Sequence, residues 1–236
     1  QGIRHYLVTS DYFRVRELKV DGLTDTRYLG YLRDELMGVN IFHVKTSDIA
    51  QRISKRYPTF YSVTVQRVLP SSLVIEAKER QPVAVLVRDK HYVFDVEGVA
   101  VASYSLEMDV RLPLIIGLED RLTKVKLGVA YPDRLLRDAL ALAKSLRGRA
   151  RSIAASVPSG GLWRVTRIDV SDPGKPVFYV GAQVQVRVSY KDVETQMDLL
   201  PSILKTVAPE LNNVKYIDLR PREPVIAMKD QDKKKI

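Results

Sequence analysis

The side chains that most often carry chemistry are sparse in this sequence and poorly spaced for it. His5, His43 and His91 stand far apart, and none is followed by a second histidine three or four residues on. His91 falls at an expected hairpin and reads as a surface side chain. Asp169 and Asp172 are close in sequence, but general acid/base work needs a cleft and a partner group as well. Ser103, Ser105 and Ser189 lack the G-x-S-x-G turn that exposes a nucleophile. No phosphate-binding G-x-x-x-x-G-K-[ST] loop occurs, and Gly160-Gly161 after Pro158-Ser159 reads as a loop. Cysteine is absent, which removes a thiol nucleophile, a zinc-finger framework and a disulfide scaffold. The chain therefore reads as a non-enzyme with no metal or cofactor, a binding scaffold in which surfaces do the work.

Composition bounds what those surfaces meet. Thirty-eight Lys and Arg against 28 Asp and Glu give a formal charge of +10 and a pI near 9.7. That balance favours acidic partners: nucleic acid, anionic lipid or an acidic protein surface. The basic residues are spread along the chain, and only Lys233-Lys234-Lys235 forms a pure run, so the footprint of a dedicated nucleic-acid binder is weak. With 45% hydrophobic residues, 236 residues can bury a real core in one large domain or two ordinary ones. No apolar stretch approaches the length of a membrane span.

The elements that must position any surface can be read from periodicity. Residues 1–12 have no clear period and form a lead-in. Phe13 and Val15 alternate, then Leu18 and Val20 alternate in the opposite phase before Asp21-Gly22, which predicts a bulged strand ending in a turn. Leu29, Leu32 and Leu36 lie at helical spacing, with Asp25 as cap and Gly38 as stop. Ser47-Asp48 opens a second helix carrying Ile49, Ile53 and Tyr57 on one face, closed by Pro58. Val63 and Val65, then Leu73, Ile75 and Ala77, alternate on either side of Leu69-Pro70-Ser71-Ser72, a hairpin. The order is β-α-α-β-β.

The second half is longer and richer in strands. Val83–Val87 and Tyr92–Phe94 flank Arg88-Asp89-Lys90 as a hairpin, Val96-Glu97-Gly98 turns again, and Leu112–Ile116 is a short apolar strand. After Pro132, Leu135, Ala139, Leu142 and Leu146 form a helical stripe that stops at Gly148. Trp163, Val165 and Ile168-Asp169-Val170 suggest the next strand, and Val184, Val186 and Val188 alternate as a half-buried antiparallel one. Asp192 opens a helix with Met197, Leu200, Leu204 and Val207 on one face, and Pro201 predicts a kink or a restart. Val214–Leu219 and Val225–Met228 close the domain, ahead of a charged tail from Asp230.

Several ordered motifs carry a family resemblance. Val65-Gln66-Arg67-Val68-Leu69-Pro70 and Glu79-Arg80-Gln81-Pro82-Val83-Ala84 resemble the hairpin and exit of the POTRA domain in the FtsQ/DivIB cell-division family. Phe94-Asp95-Val96-Glu97-Gly98-Val99, Leu112-Pro113-Leu114-Ile115-Ile116-Gly117 and Tyr216-Ile217-Asp218-Leu219-Arg220 are similar to its "D-x-x-G", "L-P-x-x-x-G" and "I-D-L-R" segments. Taken alone, Arg67 and Pro70 can simply shape a hairpin, and Glu79-Arg80 can simply join two domains.

The resemblance implies an α+β chain. Residues 1–12 are a membrane-proximal lead-in, 13–82 a POTRA domain, 83–229 a mixed, mainly antiparallel β domain with two helices, and 230–236 a charged tail. It also implies a single-pass protein of the cytoplasmic membrane at the division septum, with this part facing outward and Arg4 and His5 near the lipid surface. Such a protein holds the division complex together without catalysis, pairing with small coiled-coil partners of the FtsB/DivIC and FtsL type. The partner site expected here is the last strand and its approach: Pro224, Val225, Ile226, Ala227, Met228 and Lys229. Tyr190, Lys191, Arg220 and Arg222 flank it. A partner can add a strand to an exposed sheet edge, and Pro221 and Pro224, unable to donate to a ladder, put this segment at a border. The same prolines also serve simply to blunt an edge against aggregation. The family's aromatic after "D-L-R" is here Pro221. Three other classes stay open: a POTRA-type assembly factor for exported polypeptides, a basic nucleic-acid binder, and an enzyme with an unrecognised site.

Overall fold

The computed structural model describes residues 2–22, 30–107, 111–157, 164–181 and 184–229. The chain forms two compact units, residues 1–80 and 81–236. Asp25, Leu29, Gly160-Gly161, Trp163 and the tail from Asp230 lie outside the described residues.

In the first unit, helix α1 (Gly2–Thr9) occupies the stretch expected to be a lead-in without period. None of its side chains is buried, and its eight residues span too few turns to establish a period in the sequence. A 3-10 turn follows at Asp11–Phe13, then strand β1 (Glu17–Asp21). The phase slip falls at Arg16 and Glu17, whose amides both donate to the Ser71 carbonyl at 2.9 and 3.3 Å. Two residues facing one is a bulge. Gly38, at φ +79°, ends helix α2 (Gly30–Leu36), and its amide donates to the Val15 carbonyl. Helix α3 (Thr46–Arg56) buries Ile49 and Ile53, and its Arg52 forms a fork with Glu35 of α2 at 2.6 Å on both arms. Strands β2 (Phe60–Val68) and β3 (Ser72–Glu79) make the expected hairpin, and β1 pairs with β3 in parallel, giving sheet order β1-β3-β2. Arg67 of the hairpin donates to the carbonyls of Ile41 (3.0 Å) and Val44 (2.6 Å), so its role is to shape this unit.

The second unit is built on one nine-stranded sheet of order β12-β11-β10-β9-β8-β7-β4-β5-β6. The strands are β4 (Pro82–Val87), β5 (His91–Asp95), β6 (Ala100–Tyr104), β7 (Leu114–Ile116), β8 (Val165–Asp169), β9 (Val177–Val180), β10 (Val184–Arg187), β11 (Val214–Asp218) and β12 (Val225–Met228). Helices α4 (Arg134–Gly148), α5 (Ala150–Ala155) and α6 (Val193–Val207) share one core with one face of that sheet. Leu135, Ala139, Leu142 and Leu146 are all buried in it, as their spacing requires, and Asp133 caps α4 by accepting from the Leu136 amide. The short α5 follows α4 directly, a third helix that the sequence pattern does not announce. Arg149 at their junction bonds Asp198 and Glu194 of α6 at 2.6 and 2.8 Å. Helix α6 continues through Pro201 with no restart. It carries the chain between β10 and β11, which pair in parallel.

Candidate functional site

Several of the residues whose types could do chemistry are engaged in local turns. Asp169 accepts the Ser171 amide, and Asp172 accepts the Gly174 amide and pairs with Lys175. Each carboxylate closes a local turn. Ser189 accepts from the Lys191 amide, and its own amide donates to Gln196. His5 and His43 are exposed. His91, expected at the surface, has its Nδ1 buried, without a hydrogen-bond partner among the described residues, at the start of β5 opposite Tyr104 of β6. Among the described residues no three His, Cys, Asp or Glu side chains converge on a metal position.

The last strand is the feature that stands open. β12 ends the sheet, and among the described residues its one strand partner is β11, antiparallel, with Asp218 opposite Val225, Ile217 opposite Ile226 and Tyr216 opposite Ala227. Because side chains alternate across a strand, Ile226 continues the helix-covered face from the buried Ile217. Val225 and Ala227 continue the opposite face. Val225, Ile226 and Met228 remain 49%, 38% and 42% exposed, a row of apolar side chains beside an open backbone edge. Lys229 anchors the strand's far end, its amide donating to the Asn213 carbonyl (2.7 Å) and its Nζ to that of Asn212 (2.8 Å).

The face that Val225 and Ala227 extend is polar and ordered. Across β8 to β11 it presents Arg167, Tyr179, Gln185, Arg187 and Tyr216. The Arg167 guanidinium lies 4.1 Å from the Tyr179 ring centre, and that of Arg187 lies 3.7 Å from the Tyr216 ring centre. Arg187 also donates to Gln185. These stacks hold long side chains flat against the sheet next to the edge strand.

The flanking residues are distributed by the parallel pairing of β10 with β11. It places the C-terminal ends of both strands at one end of the sheet, where β12 begins. Lys191, Arg220, Arg222 and Pro224 therefore belong to that end, while Met228 and Lys229 belong to the other. Arg222 is exposed, with no ion pair among the described residues. Arg220 is held by Asp218 through its amide and its guanidinium. Tyr190 is turned inward: burial, with the Asp138 carboxylate nearby, pushes its hydroxyl well above the ordinary phenol range.

A β-α-α-β-β unit followed by a mixed sheet that ends in an open antiparallel strand defines the class of POTRA-plus-β-domain proteins. The family models agree with that architecture: residues 13–80 match the FtsQ-type POTRA domain, and residues 84–220 match the C-terminal domain of cell division protein FtsQ/DivIB. The chain belongs to the FtsQ/DivIB cell-division family. It is similar to the cell division protein FtsQ of Geotalea daltonii, 25% identical over 233 residues, covering 97% of this chain and 80% of that protein. It is likewise similar to FtsQ of Syntrophotalea carbinolica, 27% identical over 231 residues, covering 95% and 77%. A third relative, FtsQ of Myxococcus fulvus, is 30% identical over 145 residues, covering 61% and 50%. The family models stop at Arg220, before β12.

Proposed function

We propose that this chain is a non-catalytic scaffold of the bacterial division complex and that it binds small coiled-coil partners of the FtsB/DivIC and FtsL type at the β12 edge. The observation that carries the reading is the edge itself: a terminal strand with one neighbour among the described residues and three exposed apolar side chains, Val225, Ile226 and Met228. An incoming strand gains main-chain hydrogen bonds along the free side, and its alternate side chains pack beside Ile226 and Met228 on one face and Val225 and Ala227 on the other. Pro224 keeps the approach to the strand from pairing early. Lys191 and Arg222 at one end and Lys229 at the other suit an acidic partner segment, with Tyr190 and Arg220 shaping that end from behind. In this reading the chain works on the outer side of the cytoplasmic membrane at the septum, tethered by a single span.

Co-purification with the coiled-coil partner tests the proposal. Val225→Asp places a charge where the incoming strand would cover an apolar side chain, and Ile226→Pro distorts the edge backbone. Each should weaken capture of the partner at least about tenfold, since an unsatisfied buried charge or lost ladder bonds cost more than about 1.4 kcal/mol. The far-ultraviolet spectrum should be unchanged. Full binding by both variants would sink the edge-strand reading.

A further inference from the structure

We infer that the second unit carries a binding site for a single-chain anionic amphiphile, in the crevice where α4 and α5 face the start of β4 and of β8. The crevice encloses about 400 Å³ and has a floor of Val83, Ala143, Leu146 and Ile153, each no more than 3% exposed. Three arginines, Arg111, Arg147 and Arg164, stand around this apolar floor, and among the described residues no Asp or Glu lines it. Arg147 donates to the Pro82 carbonyl (2.5 Å) and to Gln81 Oε1 (3.4 Å), both neutral acceptors, so its charge is left uncompensated. Arg111 is exposed, and among the described residues neither it nor Arg147 has an acidic partner.

The Arg111 and Arg147 guanidiniums, with no acidic partner among the described residues, focus a positive potential on the mouth of this apolar recess. An acyl chain fills the recess, and a carboxylate head at the rim meets the guanidiniums with charge-assisted hydrogen bonds. Size selects this occupant over a polypeptide. The volume lies at the low end for small-molecule pockets, about 300–1,000 Å³, whereas a helix with its side chains is about 10 Å across. The site lies apart from β12 and does not depend on the edge-strand reading.

Titration calorimetry of the full chain with decanoate, kept below its micelle concentration, tests the site. Decanoate should bind saturably at one per chain, and 1-decanol, lacking the charge, should bind at least about tenfold more weakly. Arg111→Glu, at an exposed residue, should lower decanoate affinity by a similar factor, and Ala154→Trp, at the exposed mouth, should block it. Val225→Asp should leave it unchanged. Absence of saturable decanoate binding by the folded chain would overturn the proposal. So would equal affinity for decanol and decanoate, or indifference to both crevice variants. Binding of an acidic amphipathic peptide in place of decanoate would overturn it too, and would give the crevice to a polypeptide.

Discussion

Asp218 and Arg220 are locked together at the turn that leads from β11 to β12. The Asp218 carboxylate accepts from the Arg220 amide at 3.1 Å, from its Nε at 2.8 Å, and from its Nη2 at the second oxygen. Asp218 is only 8% exposed, so the pair is shielded on the carboxylate side. The "I-D-L-R" segment thus contains its own ion pair, two residues apart, and Arg220 is engaged before any partner arrives. Its task is to fix the direction in which the chain leaves β11, and with it the placement of the edge strand.

The Arg220 hydrogen bond holds the Asp218 carboxyl below the ordinary aspartate range, against the opposing effect of burial. A depressed acid contributes stability that is present above its unfolded pKa, near about 3.9, and is lost as pH falls through the lower folded value. Asp218→Asn should therefore destabilise the second unit by about 1–3 kcal/mol at pH 7. The difference from the unchanged chain should shrink below about pH 4 as the native carboxylate is protonated. Urea denaturation at pH 7 and pH 3 measures both. Equal stability at pH 7 would remove the pair from the account of the edge.

Asn40 makes a comparable prediction for the first unit. Its side chain, 8% exposed, donates to the Leu7 carbonyl of α1 at 3.0 Å and accepts the Phe42 amide at 3.0 Å. Asn40 is thus the polar pin between α1 and the segment after α2. Around it Phe13 meets Tyr6, Tyr12 and Phe42 edge to face, with ring centres 5.2–6.4 Å apart. Asn40→Ala should cost about 1–3 kcal/mol, because it strands the Phe42 amide and the Leu7 carbonyl. It should also raise amide hydrogen exchange in α1 more than in β2 or β3. Uniform exchange across the unit would show that α1 is held by something else.

How far the sequence discloses all this depends on which interactions are local. The hairpin of β2 and β3, helix α3, the α4 stripe and the β10 alternation all show, because one apolar face repeats at the period of the element. β9 does not, since Val177-Phe178-Tyr179-Val180 is a four-residue apolar run without alternation. α1 escapes because its eight residues span too few turns to establish a period. The edge position of β12 is legible from Pro221 and Pro224, since a missing donor is a property of the residue itself. Its flanking residues are not. Arg220 looks available until Asp218, on the same side of the strand two residues before, takes its guanidinium. Tyr190 looks like a surface aromatic until the fold brings Asp138 of α4 near it. The crevice with its three arginines is invisible in sequence, because Arg111, Arg147 and Arg164 come from three widely separated stretches of the chain.

Two glycines give the sharpest contrast between backbone need and open space. Gly117, just after β7, has φ +89°, and a Cβ there would lie 2.3 Å from the Ser171 amide nitrogen, just past β8. β7 and β8 run in parallel, with Ile116 opposite Asp169 and the Val170 amide on the Ile116 carbonyl. Close approach of two backbones at this point requires the missing side chain, and the clash is with main chain that cannot swing away. Gly117→Ala should cost more than about 2 kcal/mol, from left-handed strain of about 1–2 kcal/mol plus displacement of the strand end. Gly148, the last residue of α4, has nothing within 4 Å of the place a methyl group would take. Gly148→Ala should instead stabilise the unit by about 0.4–1 kcal/mol, chiefly by restricting the unfolded chain. Thermal unfolding of the two variants side by side should move the midpoint in opposite directions. A shift of the same sign in both would mean that the β7–β8 junction relaxes, and that the close approach at Gly117 does not hold the middle of the sheet.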